Sequence, residues 1–476
     1  MANSNSPTKI VKRNENFAEW YTSVILAAKL ASYASVKGCI NYLPKGWAIW
    51  EHIKDAIDSA FKKTGVLNVQ LPLFIKTSDF TKEKDHIAGF APESFLVEHI
   101  GEKKVEDTLI IRPTSEVLFS QVFKDEIHSY NDLPLKYNQW CSVYRAEKTT
   151  KPFLRGSEII WQELHAMFAS EDEAVKYTLQ IHELYNDFLK DVLCLPFLSG
   201  KKTEGEKFAG AVTTYTREVW SQDCQTIQTG TSHYLGTNFS KMYDVQFQNK
   251  NNKLELPYYM SAGMTTRTIG DIIMVHADDN GLVLPFKVAP TQIAILLLFC
   301  EQDKNIIKAG QDLAKKLDAF RTYIDTTNNS FGYKINEQEV SGTPFSIIIG
   351  PKDLANNSCM VYRRDLKTKS TIKLTELVET ITKMHSEYDK NLYNKALEHL
   401  NSSIVEVSTF EEFVKAINDK KIVLAPWGGT VEDEAKLKEQ TSGVTPRCVF
   451  KEGKINKNCF FTKKPAKQLV YFARSY

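Results

Sequence analysis

The sequence predicts a mixed α/β (α+β) protein of about three units, the first of them built on an antiparallel sheet. Three observations point there. The 476 residues are too many for one hydrophobic core. Between Thr108 and about Pro285, short strand-like runs alternate with loops rich in Gly, Thr and charge. Helices are few in that stretch, chiefly residues 171–190, so an antiparallel sheet is expected rather than a βαβ array. After Leu282-Val-Leu-Pro285 the texture changes to alternating helices and buried strands, which marks a second unit.

Taken in order, residues 17–33 have helical periodicity and predict an amphipathic helix. Residues 47–63 predict another, ended by Gly65 and followed by an extended segment, 66–74, that contains Pro72. In the second unit the pattern predicts a strand at 292–298, a helix at 304–320, a strand at 321–325 and another at 345–349. A long helix, 373–400, leads out of it. Residues 404–476 then form a third, small α/β unit.

Composition narrows the function. Lys+Arg 60 against Asp+Glu 58 gives a formal net charge of +2, so any RNA contact must come from local patches rather than a basic tail. Eight cysteines without paired spacing suit a reducing compartment. The polar N-terminus lacks a signal-peptide hydrophobic region, and the most apolar run, residues 293–300, is too short for a membrane span. A cytoplasmic enzyme that does not engage a membrane is the expectation.

Phosphate-loop signatures are absent: there is no G-x-x-x-x-G-K-[ST] and no G-x-G-x-x-G. Four other stretches carry chemistry. Arg145-Ala-Glu147, Arg155-Gly-Ser-Glu158 and Trp161-Gln-Glu163-Leu-His165 read as strand, hairpin loop, strand. Arginines on such a hairpin suit a triphosphate, because a guanidinium offers a planar fork of donors, and Glu147 suits an adenine amino group. The alternative is an exposed hairpin with solvated charges, which Trp161 beside Glu163 and His165 makes the poorer reading. In Ile111-Arg-Pro-Thr-Ser-Glu116, Thr114 and Glu116 point the same way if extended and suit a substrate ammonium. The competing reading is a helix cap. Gln228-Thr-Gly-Thr-Ser-His-Tyr-Leu-Gly236 gathers donors on a glycine-containing strand, or is simply a polar turn. Gly263-Met-Thr-Thr-Arg-Thr-Ile-Gly270 reads as strand then helix, with Arg267 at the junction.

Together these stretches resemble prolyl-tRNA synthetase, a class II aminoacyl-tRNA synthetase, in its archaeal and eukaryotic type. The resemblance runs over essentially the whole chain. It is carried by Phe90-Ala-Pro-Glu93, Arg112-Pro-Thr-Ser-Glu116, Pro152-Phe-Leu-Arg155, Trp161-Gln-Glu163, Gly230-Thr-Ser-His233, Gly236-Thr-Asn-Phe-Ser-Lys-Met242, Thr265-Thr-Arg-Thr-Ile-Gly270, Gly281-Leu-Val-Leu-Pro285, Gly350-Pro-Lys-Asp353 and the terminal Tyr476. It implies a class II antiparallel catalytic domain at 1–285, an α/β anticodon-binding domain at 286–395 and a small α/β C-terminal domain at 396–476.

The resemblance also implies roles. Thr114, Glu116, His233 and Arg145 would hold L-proline, within a pocket completed by Phe90, Trp161, Glu163 and His165. Arg145, Glu147, Arg155, Gly156, Gln228, Thr231, Thr265 and Arg267 would hold ATP, with Mg²⁺ near Gln228. Arg145 and Arg267 would be catalytic. Pro72 matches a proline at a homodimer interface, and tRNA(Pro) is the expected partner. Glu339, Lys352 and Asp353 stand where the family contacts the anticodon.

The chain departs from the family pattern in several places. Ser346 replaces an arginine, Gln338 a tryptophan and Ala262 a tryptophan. Four cysteines of related enzymes bind zinc in the last domain. Here Gly428, Asp433 and Phe461 occupy three of those positions and only Cys459 remains, so no structural zinc is expected. A regulatory paralogue, a tRNA-binding or editing module, and a histidyl, threonyl or glycyl synthetase are the competing readings. The joint presence of Arg145, Arg267 and the Thr114/Glu116 pair disfavours them.

Overall fold

A computed structural model describes residues 9–80, 94–301 and 303–476. Its frame is an eleven-stranded sheet. At its centre, the strands Phe197–Lys201, Thr213–Trp220, Thr226–Gly236, Tyr258–Thr265, Glu158–Phe168 and Leu135–Tyr144 lie side by side and antiparallel, as expected. At one edge Leu67–Asn68 joins in parallel to Leu135–Tyr144. At the other edge the sheet continues into the C-terminal strands Thr445–Glu452, Gln468–Ala473, Ile422–Trp427 and Ile404–Glu406. The junction is the pairing of Val449 with Lys201, so the third unit shares one sheet with the first.

One face of the central sheet is covered by helices and the other holds a cavity. Period-2 alternation sorts the side chains. On Glu158–Phe168, Gln162 points to the helical side, where the Tyr185 hydroxyl donates to its Oε1 at 2.6 Å. Trp161, Glu163 and His165 line the cavity. The covering helices are Glu171–Asp191 and Pro44–Lys62. The second starts with Pro44 in its first turn and buries Trp50, Ile53, Ile57 and Phe61, a helical stripe. Phe61 meets Tyr185 edge-on at 5.9 Å.

The second unit is a five-stranded sheet ordered Thr322–Asp325, Ile293–Leu297, Phe345–Ile349, Ser358–Arg363, Thr368–Lys373. The first three strands are parallel and the last two antiparallel. Every residue of Ile293–Leu297 and Phe345–Ile349 is buried, as their continuous apolar runs require. The helix Leu377–Ser403 carries the chain into the third unit, so a division at 395/396 lies inside one continuous helix.

Several element expectations need correction. The helix expected at 17–33 ends at Ala27. Lys29 at φ 55° reverses the chain, and Ala31–Tyr33 pairs as a strand with Ile40–Tyr42. Leu30 and Ala31 continue the apolar pattern with no Gly or Pro to mark the stop. The helix expected at 373–400 begins four residues late and runs on to Ser403. The helix expected after Arg267 is Arg267–His276, and Glu116–Glu126 adds to the helices expected in the first unit.

Candidate active site

A cavity of about 380 Å³ opens on the central sheet. Thr114, Glu116, Arg145, Glu147, Arg155, Gly156, Trp161, Glu163, His165, Gln228, Thr231, His233, Thr265 and Arg267 all line it, although they come from separate parts of the chain. Phe90, the remaining pocket residue named from sequence, lies outside the described residues.

At one end a carboxylate is fixed by the start of a helix. Ser115 is the N-cap and Glu116 the first residue of Glu116–Glu126. Thr114 and Glu116 therefore converge through a helix-capping turn, not along an extended strand, and the Thr114 hydroxyl donates to the Glu116 carboxylate. Both are buried. The residues read as a helix cap thus also line the cavity, with Ser115 at the N-cap position.

Behind them sits Glu163. Its Oε1 accepts from Ser115 Oγ at 2.7 Å, Trp161 Nε1 at 2.8 Å, Gln139 Nε2 at 3.0 Å and Cys141 Sγ at 3.2 Å. His165 Nε2 lies 3.4 Å from Oε2, and its Nδ1 pairs with the Tyr259 hydroxyl at 2.6 Å. Burial pushes the Glu163 carboxyl up, but His165, Ser115 and Cys141 hold it below its ordinary value, so it is ionised near neutral pH. Glu163 lines the cavity yet spends its oxygens on protein donors. It orients Trp161, whose ring lies 5.4 Å from the Arg145 guanidinium carbon. Arg145 Nε also donates to the Pro113 carbonyl at 3.1 Å, tying the hairpin to the Thr114 turn.

His233 sits on Thr226–Gly236, separated from the strand of Glu163 by Tyr258–Thr265. Its Nε2 is 2.9 Å from Thr231 Oγ1 and its Nδ1 3.0 Å from Thr214 Oγ1. Desolvation, with His165 and Arg217 nearby, pushes the imidazole down to about 3, so it is neutral at physiological pH.

The other end is formed by the hairpin loop and the helix Arg267–His276. Arg267 Nε donates to Leu154 O at 3.0 Å and Nη1 to Gln228 O at 3.1 Å. These bonds hold a cation against the loop that carries Arg155. Glu147 lies 3.9 Å from Arg155. Phe153, not singled out from sequence, also lines the cavity. It takes a left-handed backbone at φ 63° and meets Tyr42 edge-on at 5.5 Å. An aromatic inside the charged Pro152-Phe-Leu-Arg155 loop was the available signal.

The three anticodon candidates are not gathered at one point. Glu339, on the helix Phe331–Ser341, accepts from the Tyr362 hydroxyl and from Asn280 Nδ2 at 3.3 Å, near the start of the strand Phe345–Ile349. Lys352 and Asp353 follow the end of that strand, where the Asp353 carboxylate accepts from Gly350 N at 2.8 Å. Of the departing residues, Gln338 is buried and accepts from the Thr343 hydroxyl at 2.8 Å, Ser346 is fully buried, and Ala262 is buried in the sheet.

Three family profiles match the chain: the tRNA synthetase class II core domain (G, H, P, S and T) over residues 95–276, an anticodon-binding domain over 288–384, and the prolyl-tRNA synthetase C-terminal domain over 410–476. The proline–tRNA ligase of Ureaplasma parvum serovar 3 is 48% identical over 468 residues, covering 98% of this chain and 99% of the relative. That of Malacoplasma penetrans is 48% identical over 473 residues, covering 98% and 100%. Proline–tRNA ligase 2 of Bacillus thuringiensis is 43% identical over 469 residues, covering 98% of each. All three relatives are bacterial. Agreement of this extent along both chains, with a class II core around the cavity, means that the chain belongs to the class II prolyl-tRNA synthetases, the proline–tRNA ligases.

Proposed function

We propose that this cavity activates L-proline with ATP and transfers it to the 3′ end of tRNA(Pro), and that Arg145 and Arg267 carry the catalysis. The supporting observation is the convergence of Thr114, Glu116 and His233 at one end of the cavity and Gln228, Arg155 and Arg267 at the other, with Arg145 between. The Glu116 carboxylate pairs with the secondary ammonium of proline. The proline carboxylate attacks the α-phosphorus in line, the bond to the bridging oxygen breaks, and pyrophosphate leaves. A carboxylate nucleophile needs no general base, so positioning and charge neutralisation supply the rate. The terminal ribose hydroxyl of tRNA then displaces AMP from the adenylate. Neutral His233 serves as a hydrogen-bonding wall of the proline pocket. Glu147, Gly156, Thr231 and Thr265 complete the nucleotide side, and Phe153 offers its ring face to the base.

Mg²⁺ enters with ATP as part of the substrate. Among the described residues no group of three His, Cys, Asp or Glu could hold a metal. The side-chain oxygen of Gln228 suits an ion that takes most of its ligands from phosphate and water.

The finer readings rest on narrower support. Assignment to the archaeal and eukaryotic type rests on the segment between His165 and Gln228, which holds one helix and two strands of the central sheet and no inserted domain. Division into catalytic (1–285), anticodon-binding (286–395) and C-terminal (396–476) domains is supported at 285/286 by the change from the central sheet to the five-stranded sheet, whereas 395/396 falls within the connecting helix. Glu339, Lys352 and Asp353 are proposed to read the anticodon. The protein is proposed to work in the cytoplasm as a homodimer, since Leu67 and Phe74 leave apolar surface exposed on either side of Pro72 in the chain. No helix is long and apolar enough to cross a membrane among the described residues. Charging of tRNA(Pro) by the purified protein with labelled L-proline is the test. Charging with another amino acid in preference to proline contradicts the proposal.

A further inference from the structure

A buried cluster of charge joins the C-terminal unit to the wall of the cavity. Glu218, on the strand Thr213–Trp220, is 0% exposed. Its Oε1 accepts from Lys202 Nζ at 2.8 Å and Thr216 Oγ1 at 3.1 Å. Its Oε2 accepts from Arg447 Nη2 at 2.8 Å and Nε at 3.2 Å. Arg447 belongs to the C-terminal strand Thr445–Glu452. It is held by Thr445 Oγ1 at 2.8 Å and Ser475 Oγ at 3.2 Å, and lies 3.9 Å from Glu206. Lys202 and Glu206 line the cavity.

The cluster lies beside the nucleotide end. Glu218 is paired across the sheet with Gln228, and Arg267 donates to the carbonyl of that same Gln228 at 3.1 Å. Neighbouring cross-strand side chains interact directly. Glu218 accordingly acts on both Arg267 and Asp271 electrostatically: it opposes the lowering that burial imposes on Arg267 and adds to the rise that burial imposes on Asp271. A lone buried carboxylate in that position would repel a triphosphate and compete with it for Arg267. Arg447 and Lys202 offset that charge and the Glu206 carboxylate beside it, so the four groups together are neutral.

We propose that Arg447 is a positioning residue for ATP: the C-terminal unit, docked on the edge of the catalytic sheet, joins Lys202 in neutralising Glu218 and thereby keeps Arg267 directed at the phosphates. This rests on the proposed activation of proline by ATP in the cavity. It gives the shared sheet a function, because the third unit supplies a charge the site lacks without it.

The test uses the full-length chain, with KM for ATP and for proline measured separately in ATP–pyrophosphate exchange. Arg447→Met keeps bulk and removes charge. It is expected to raise KM for ATP by about tenfold while KM for proline moves less than about twofold. Arg447→Lys, the milder variant, should recover most of the loss. Glu218→Gln in the Arg447→Met background should recover ATP affinity too, since it removes the charge that Arg447 neutralises. A merely structural role would lower the active fraction and leave both KM values alone. The proposal is overturned if folded Arg447→Met shows wild-type KM for ATP, whatever its kcat, or if removing the Glu218 charge gives no recovery. Absence of proline-dependent exchange in the wild-type chain is a different result and overturns the activation reading instead.

Discussion

Arg145 and Arg267 reach the cavity from different elements, one tied to the Thr114 turn through Pro113 and the other to the hairpin loop through Leu154. Arg145 lies against the Trp161 ring as well, and Arg267 is held further by the Gln228 carbonyl. Arg145→Ala and Arg267→Ala are each expected to abolish proline activation in a folded protein. The loss of transition-state stabilisation is on the order of 3 kcal/mol or more. Exchange within tenfold of wild type in either variant contradicts the assignment. Asp271 shows the opposite residue type, a carboxyl with no use for charge. It is fully buried, and burial pushes it up to about 8 although the Thr229 hydrogen bond and Arg267 work against the rise. An unfolded Asp ionises near about 4. The folded chain thus keeps a proton that the unfolded chain gives up, and this group's contribution to stability falls as pH rises from about 4 to about 8. Asp271→Asn is expected to raise Tm relative to wild type at pH 7.5, with the gap closing toward pH 5. A gap independent of pH across that range contradicts the account. The motif residues were legible in the sequence because their types announce their chemistry. Asp271 and the donors around Glu163 were not, because Thr229, Gln139 and Ser115 acquire their roles only through contacts between distant segments.

At the scale of elements, long apolar runs were legible and turns were not. Ile293–Leu297 and Phe345–Ile349 are buried throughout and were readable directly. The reversal at Lys29 uses a positive φ at a lysine, which no residue pattern signals. Pro72 was visible, but its tether was not: Arg112 Nη1 donates to Leu71 O at 2.9 Å and Pro72 O at 3.0 Å, so this buried arginine serves the backbone. In the C-terminal unit, Trp427, Phe460 and Phe461, expected to pack in place of the lost cysteines, form an aromatic cluster. Phe460 stacks on Phe413 at 4.5 Å and Trp427 on Phe461 at 6.2 Å, with Cys459 buried beside them. Trp427→Ala should cost about 3–5 kcal/mol in a denaturant titration of that unit. Prolonged treatment with a chelator should leave Tm unchanged. A chelator-induced drop would assign stability to a metal and not to the cluster.

At the scale of the whole molecule, the eleven-stranded sheet makes the catalytic and C-terminal units one continuous layer, and the helix Leu377–Ser403 spans from the second unit to the third. The three-unit division was legible from texture. The edge-joining of the first and third units was not, because it depends on a single pairing, Val449 with Lys201, between strands some two hundred and fifty residues apart. The apolar surface at Leu67 and Phe74, 64% and 46% exposed, predicts association through that region. At micromolar concentration, light scattering should give about twice 54.2 kDa, and Leu67→Asp with Phe74→Asp should halve it. A wild-type monomer with full activity contradicts this. The central claim is that the cavity activates proline with ATP, and ATP–pyrophosphate exchange by the wild-type chain tests it most directly. Exchange stimulated by L-proline above every other amino acid is the predicted result. Exchange that proline does not stimulate, or that another amino acid stimulates more, would contradict it.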